Sequence, residues 1–290
     1  MLPVDCRMQS IISVLINSVY GGDFPCYAYN KIYFKYITHK KSFSIESGHP
    51  IINLMHYGFI INEHEFLFSE KNNFIEHLKQ SQGVVIQHSY SSLLLRMRLI
   101  KTGLPVDIPH LIYSNEVNIN NNNLIIKTSD EKFNIMSWKH FFSHEDEKIT
   151  AYFVMQKPEK CIEEDELIRS FRKSIEYYNE CYSSDIYNQI EDTIKQDILI
   201  QQSALDIPIW NRNIWKMHIT RGWFAAFAEK VLKRDDLKEK MLALSHSYQN
   251  ISEVINQKAI KEQNYQLQPQ IDKLMDNLYE EHRIIHGLIY

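Results

Sequence analysis

Apolar residues recur every three or four positions near the start of the chain, and this spacing is typical of one helix face. Met8, Ile11, Leu15 and Val19 carry the pattern, and Gly21-Gly22 follows it. Glycine commonly terminates helices because it adopts left-handed backbone geometry at little cost. The pattern therefore predicts an amino-terminal helix that ends at the two glycines.

Strand patterns dominate the rest of the first half. Alternating or continuous apolar runs, separated by short polar turns, predict strands at 31–37, 83–88, 110–117, 124–128 and 149–155. An asparagine-rich turn is predicted at 118–123, and short helices are predicted at 72–79 and 136–142, the latter capped by Ser137. Strands joined by short turns indicate an α+β fold with a mostly antiparallel sheet.

Helical periodicity dominates the second half. It predicts helices at 166–178, 184–205, 222–232, 233–258 and 270–285, with Ile207-Pro208 ending the second of them. We therefore expect two domains, an α+β domain over residues 1–158 and an all-α domain over residues 159–290.

Composition narrows the function classes. The chain has 290 residues, of which 44% are hydrophobic, and its formal charge is -4. It has no dense basic run and no apolar run of about 18 residues, so we expect neither nucleic-acid binding nor a membrane span. The four cysteines form no pair with metal-ligand spacing. These features predict a cytoplasmic protein without a metal or a cofactor.

Two residues are candidates for nucleophilic chemistry. Cys6 lies at the start of the predicted first helix, where unpaired backbone N–H groups and the helix dipole favour a thiolate. His110 opens a predicted strand behind Pro109, which is a rigid place to hold a base. The alternatives are a small apolar residue at position 6 and an ordinary strand-edge histidine at position 110.

Several short motifs carry a resemblance to a known family. They are Asp5-Cys-x-x-x-Ser through Leu15, His110-Leu-Ile-Tyr, Leu124-Ile-Ile, Met136-Ser-Trp-Lys-His-Phe and Gly222-Trp-Phe-Ala-Ala-Phe-Ala-Glu. The first resembles the nucleophile helix of C39-type bacteriocin-processing peptidases. Together they more closely resemble the butirosin-biosynthesis acyltransferase family, whose C39-like, papain-like amino-terminal domain precedes a helical domain. The resemblance implies a papain-like fold for the first domain.

The resemblance also implies an activity. A member of this family passes an acyl group from a carrier-protein thioester, through a cysteine, to an amine in bacterial natural-product assembly. Cys6 would carry the acyl group, His110 would act as the base, and backbone amides near Arg7 would face the oxyanion. The partners would be an acyl or peptidyl carrier protein bearing phosphopantetheine and a small amine acceptor, and a homodimer is left open. Arg221, predicted at a helix start, is a candidate contact for the phosphopantetheine phosphate.

The chain departs from the family pattern at two places. Lys127 occupies the return-strand position where the family has an aspartate, so Asp130, or more weakly Thr128 or Asn115, would have to orient His110. No glutamine precedes the nucleophile, and Gln9 follows it. We therefore keep two alternatives beside the acyltransferase: a C39-like cysteine peptidase, and a catalytically degenerate protein that binds a carrier protein or a peptide.

Overall fold

The computed structural model describes ten parts of the chain. They are residues 6–21, 35–37, 42–44, 54–89, 109–120, 123–128, 135–181, 192, 207–261 and 267–288. Within these parts, side chains are described except at 6–9, 35–37, 42–44, 109, 116–120, 123, 177–181, 207–210, 212 and 258–261. The chain divides into two compact units, and each is described by itself.

The first unit, called here the sheet unit, contains residues 4–24 and 48–162. Its helices are α1 (Cys6–Ile16) and α2 (Lys71–Lys79). Its strands are β3 (Ile60–Leu67), β4 (Val84–Ser89), β5 (Pro109–Ser114), β6 (Glu116–Asn120), β7 (Asn123–Lys127), β8 (Ile135–Ser137) and β9 (Lys148–Gln156). Short 3₁₀ turns follow β3 at Phe68–Glu70 and β8 at Trp138–Phe141.

Two antiparallel sheets organise this unit. The larger has the strand order β3-β9-β4-β5, and the smaller has the order β6-β7-β8. Every described strand pair is antiparallel. The predicted α+β architecture with an antiparallel sheet in the amino-terminal half is therefore confirmed.

An aromatic core fills the space between the sheets and α2. It joins one face of the larger sheet to β7, β8 and the turn at Trp138–Phe141. Its members are Phe66, Phe74, Ile75, Val84, Ile86, Ile112, Leu124, Ile126, Met136, Trp138, Phe141, Phe142, Ile149, Ala151 and Phe153. Removing this much apolar surface from water is the main force that holds the sheets together.

Three local predictions in this unit were wrong in detail. The run 110–117 is not one strand, because the chain bends at Asn115 and then continues as β6 in the other sheet. The run 136–142 begins as strand β8 and becomes a 3₁₀ turn only at Trp138. Helix α1 ends at Ile16 rather than at the glycines, because a turn sealed by Ser18 N–H and Oγ donating to Leu15 O intervenes.

The second unit, called here the helical unit, contains residues 163–290 together with 1–3 and 25–47. Its helices are α3 (Glu164–Cys181), α4 (Ile207–Lys230), α5 (Asp235–Lys261) and α6 (Gln268–His286). The short antiparallel strands β1 (Lys35–Ile37) and β2 (Ser42–Ser44) belong to it as well. The helical carboxy-terminal region is thus confirmed, whereas the domain limits 1–158 and 159–290 stay a prediction.

One predicted helix start in this unit was wrong. The helix predicted at 222–232 begins at Ile207, as α4, and has Pro208 in its first turn, where proline is tolerated because first-turn N–H groups have no partner within the helix. The predicted helix at 184–205 lies outside the described residues, apart from a single helical residue, Asp192.

Candidate functional site

Cys6 is the first residue of α1. Its position agrees with the sequence prediction, because a residue at a helix start lies among backbone N–H groups that the helix itself leaves unpaired. The apolar face of α1 is buried at Ile11, Val14 and Leu15, which fixes the helix on the sheet unit. The side chain of Cys6 lies outside the described residues.

A hydrogen bond attaches α1 to the strand that carries His110. The Ser10 hydroxyl donates to the carbonyl oxygen of Leu111 at 2.8 Å, and Ser10 is almost completely buried. Ser10 lies one helical turn, about 5.4 Å, beyond Cys6. Leu111 directly follows His110, so its Cα lies about 3.8 Å from that of His110. The backbone of Cys6 therefore lies one helical turn from this hydrogen bond, and the backbone of His110 lies one residue from it.

His110 is buried, with 4% of its surface exposed, and lies beside a second histidine. It pairs across the ladder with His88 on β4, which is equally buried. The two ring centroids are 5.3 Å apart and the rings are nearly perpendicular. The His88 ring also meets Phe141 edge-on, with centroids 5.3 Å apart. The larger sheet thus holds a pair of histidines against its aromatic core.

The tautomer of neutral His88 follows from its backbone contact. Its Nδ1 lies 3.0 Å from the carbonyl oxygen of Ser89. Because a carbonyl oxygen can only accept, Nδ1 carries the proton and Nε2 carries the lone pair.

The ring of His110 and the apolar face of α1 lie on different sides of β5. Side chains alternate along a strand, so His110 shares a face with Ile112, whereas Leu111 and Tyr113 share the other. Ile112 belongs to the aromatic core, and none of the described residues of α1 does. Helix α1 packs against β5, and the bond from Ser10 to the backbone of Leu111 is part of this contact.

The residues proposed to orient His110 are only partly described. Asp130 lies outside the described residues. The Lys127 side chain is exposed, and its carbonyl oxygen accepts a hydrogen bond from Ser114 Oγ at 2.6 Å. Asn115 is exposed at the bend after β5, and Thr128 is half-buried just after β7. Lys127 thus ties β7 to β5 through its backbone.

Arg221 is not where the sequence predicted it. It lies in the middle of α4, almost wholly buried, and Nε donates to Glu281 Oε2 at 3.0 Å while the other guanidinium nitrogens bond to Glu281 Oε1 and Thr220 Oγ1. An arginine enclosed in this way cannot reach a carrier protein's phosphate. The prediction failed because α4 begins at Ile207, well before Gly222.

The neighbour of His110 was missed by sequence reasoning. The run 83–88 was correctly predicted as a strand, and its alternation places His88 on the same face as Ile86. The register that sets His88 opposite His110 is a long-range property, so no local pattern indicated it.

No family model and no curated protein sequence matches the chain. Among the described residues, no three His, Cys, Asp or Glu side chains gather closely enough to hold a metal ion. Over the same parts of the chain, no helix is both long enough and apolar enough to span a membrane.

Proposed function

We propose that the chain is a cysteine-dependent acyltransferase of bacterial natural-product assembly, with Cys6 as the nucleophile and His110 as the base. The observation that carries the proposal is the Ser10–Leu111 hydrogen bond, which attaches the helix that begins at Cys6 to the strand that carries His110. A cysteine at a helix start beside a histidine on a neighbouring element is a recurrent arrangement for nucleophilic catalysis.

The reaction would proceed in two steps. His110 would take the proton of the Cys6 thiol, and the thiolate would attack the carrier-protein thioester to form an acyl-Cys6 thioester. The protonated His110 would then give that proton to the departing phosphopantetheine thiolate. An amine would then attack the acyl-Cys6 carbonyl, lose its proton to His110 and regenerate the thiol as the amide forms. The same acyl enzyme formed from a peptide and transferred to water would make the protein a peptidase.

The proposal requires His110 to reach the thiol around the end of its strand. His110 is the second residue of β5, and β5 is an edge strand of the larger sheet as described. Among the described strands, none pairs with the outer edge of β5, so no described strand lies between His110 and a thiol that approaches past the strand end. Asp130 remains the proposed orienting residue of this arrangement.

A second candidate is a catalytically degenerate binding protein for a carrier protein or a peptide. The position of the His110 ring favours it, because the ring packs with His88 and the aromatic core on the side of β5 away from the apolar face of α1. A lysine at position 127, with an exposed side chain, favours it too. In this case Cys6 would react as an ordinary thiol.

Alkylation of Cys6 by iodoacetamide as a function of pH separates the two candidates. Tryptic cleavage isolates Cys6 in the peptide that ends at Arg7, and Cys161 in the peptide that ends at Arg169, so mass spectrometry follows both thiols in one sample. The acyltransferase proposal predicts that Cys6 reacts well below the pKa of about 8.5 of a free thiol. It also predicts that His110→Ala moves this reactivity up to the ordinary range.

Two internal controls make the result interpretable. Cys161 Sγ donates to Val19 O within the sheet unit, so an unchanged Cys161 rate indicates that His110→Ala still folds. His56→Ala, at an exposed histidine of the same unit, should leave Cys6 unaffected. If Cys6 titrates like a free thiol in the wild type, the catalytic proposal is wrong and the binding candidate replaces it.

A further inference from the structure

The larger sheet has a long, exposed edge at β3. The strand order β3-β9-β4-β5 leaves the outer side of β3 without a paired strand in the described part of the chain. β3 is eight residues long, and of its side chains only that of Phe66 is buried. It contains no proline and no lysine, the residues that commonly keep an exposed edge from pairing. Because β3 and β5 are opposite edges of the sheet, a function of β3 does not depend on the proposed chemistry of Cys6 and His110.

The ladder shows which backbone groups of β3 point outward. In a central strand such as β9, successive residues direct their N–H and C=O groups alternately to the two neighbouring strands. Val154 bonds on the β4 side, because its N–H donates to Gly83 O at 2.8 Å and its carbonyl accepts from Gln82 N–H at 2.7 Å. Ala151, three positions earlier, therefore bonds to β3, where it lies opposite His64.

The residues on either side of His64 consequently present a free edge. Glu63 and Glu65 direct their N–H and C=O groups away from β9, and within the described residues none of these four groups has a hydrogen-bond partner. The same alternation directs the N–H of Leu67 outward, and that N–H donates to Glu70 Oε2 at 2.8 Å. The free edge therefore ends at Leu67.

The side chains along this edge disfavour pairing with a second copy of the chain. Glu63 and Glu65 are exposed and lie on one face of β3, away from Phe66 and the aromatic core. Lys148 on β9 bonds to Glu65 at 2.9 Å, whereas Glu63 makes no ion pair with a described residue. Antiparallel pairing of two β3 strands about Glu63, His64 or Glu65 would set glutamates directly opposite each other, which is destabilising.

We propose that the outer edge of β3 binds an extended segment of another protein in which basic residues alternate with apolar ones. An added antiparallel strand would exchange backbone hydrogen bonds with Glu63 and Glu65. Its residues directly opposite would have Cβ atoms about 5 Å from those of the glutamates, where lysine or arginine is favourable. The residue between them would lie opposite His64 on the core face, where an apolar side chain packs against the half-buried ring.

Amide hydrogen exchange of the full chain, resolved by NMR, tests the proposal. The probe is the peptide acetyl-Thr-Val-Arg-Val-Arg-Val-Thr-amide. In the free protein we expect the amide of His64 to be protected and the amides of Glu63 and Glu65 to exchange rapidly, and the peptide should protect all three. If Glu63 and Glu65 are already protected without peptide, another part of the chain or a second copy covers the edge, and the proposal is overturned.

Two altered peptides separate strand addition from general charge attraction, with fluorescence anisotropy as the measure of affinity. N-methylation of both arginines keeps their charges but removes the N–H groups that would bond to β3, so binding should be lost. Glutamates in place of the arginines should also prevent binding, and this acidic peptide should bind instead to the Glu63→Lys/Glu65→Lys variant. If the basic peptide does not bind, or binds equally well after N-methylation, the proposal is overturned.

A matched pair of protein variants locates the binding surface. Glu63→Lys should weaken the binding of the basic peptide about tenfold, because it replaces an attractive cross-strand pair by a repulsive one. Glu145→Lys makes the same change of charge at an exposed glutamate of the same unit and should leave the affinity unchanged. Equal weakening by the two substitutions would show that the peptide senses only net charge, which overturns the proposal.

Discussion

The two units of this protein are stabilised by different interiors. The core of the sheet unit is apolar and aromatic, and its packing contacts are mostly between rings such as those of Phe74, Trp138 and Phe153. The helical unit instead encloses a polar network, in which Arg221 and Glu281 are almost wholly buried and the Tyr248 hydroxyl donates to Glu281 Oε2 at 3.0 Å.

Further polar contacts join α4 to α5 in the helical unit. His218 Nδ1 lies 2.9 Å from Ser245 O, and Ser245 Oγ donates to His218 O at 2.7 Å. Asn211 Nδ2 donates to Ser252 O and to Asn256 Oδ1. Apolar contacts tolerate sliding of one helix along another, whereas these bonds exist at one register only. The two sheets are thus held together mainly by hydrophobic burial. The helices have buried polar pairs in addition, and these pairs fix one alignment of α4 against α5.

Breaking the buried Arg221–Glu281 ion pair should cause the largest loss of unfolding free energy. Glu281→Leu leaves the Arg221 guanidinium buried without its carboxylate, which typically costs about 3–5 kcal/mol of unfolding free energy. Hydrogen exchange read by mass spectrometry resolves peptides of each unit, so the loss should appear in the helical unit alone. Glu280→Leu is the matched control, because the neighbouring Glu280 pairs with Arg283 at the surface.

A rescue sharpens this prediction. In the triple variant Arg221→Met/Glu281→Leu/Tyr248→Phe the charges and the hydroxyl are all replaced by apolar groups, so we expect most of the lost stability to return. If the triple variant is as unstable as Glu281→Leu, the network contributes packing shape rather than charge balance.

Gly83→Ala should lower the unfolding free energy of the sheet unit by an intermediate amount. Gly83 has a φ of +150°, and a Cβ there would lie 2.9 Å from the Tyr113 ring. Overpacking of this kind costs about 1–3 kcal/mol. Combining Gly83→Ala with Tyr113→Leu should show a favourable coupling in a double-mutant cycle, because the smaller side chain makes room for the methyl group. Additive effects would contradict the proposed clash.

The smallest expected effect is on the way in which the stability of the helical unit depends on pH. Burial lowers the pKa of His218 below its ordinary value of 6.5, with the hydrogen bond to Ser245 opposing the shift. The unfolded chain therefore binds a proton at this residue more readily than the folded chain, so stability falls as the pH drops below about 6.5. His218→Gln should flatten the pH dependence of hydrogen exchange in the helical unit between about pH 7 and pH 5. An unchanged slope would contradict this assignment.

Local sequence patterns predicted most of the described elements. The helix at 72–79, the strands at 83–88, 124–128 and 149–155 and the helices at 166–178, 233–258 and 270–285 appear within a few residues of their predicted bounds, because each depends on periodicity and propensity within a few residues. The start of α1 at Cys6 follows from the same local signal. Local patterns also failed where an element changes partner, as at Asn115, where one apparent strand becomes β5 and β6 of two different sheets.

The tertiary structure decided which residues that are distant in the sequence contact each other. The α+β class, the helical second half and the helix that begins at Cys6 follow from the sequence alone, since burial of apolar faces sets the period of each segment. That His88 lies beside His110, that Ser10 bonds to Leu111, and that Arg221 is enclosed by Glu281 depend on strand register and helix packing over long distances. Register is set by the cooperative burial of whole faces, and for this reason no single segment encodes these contacts.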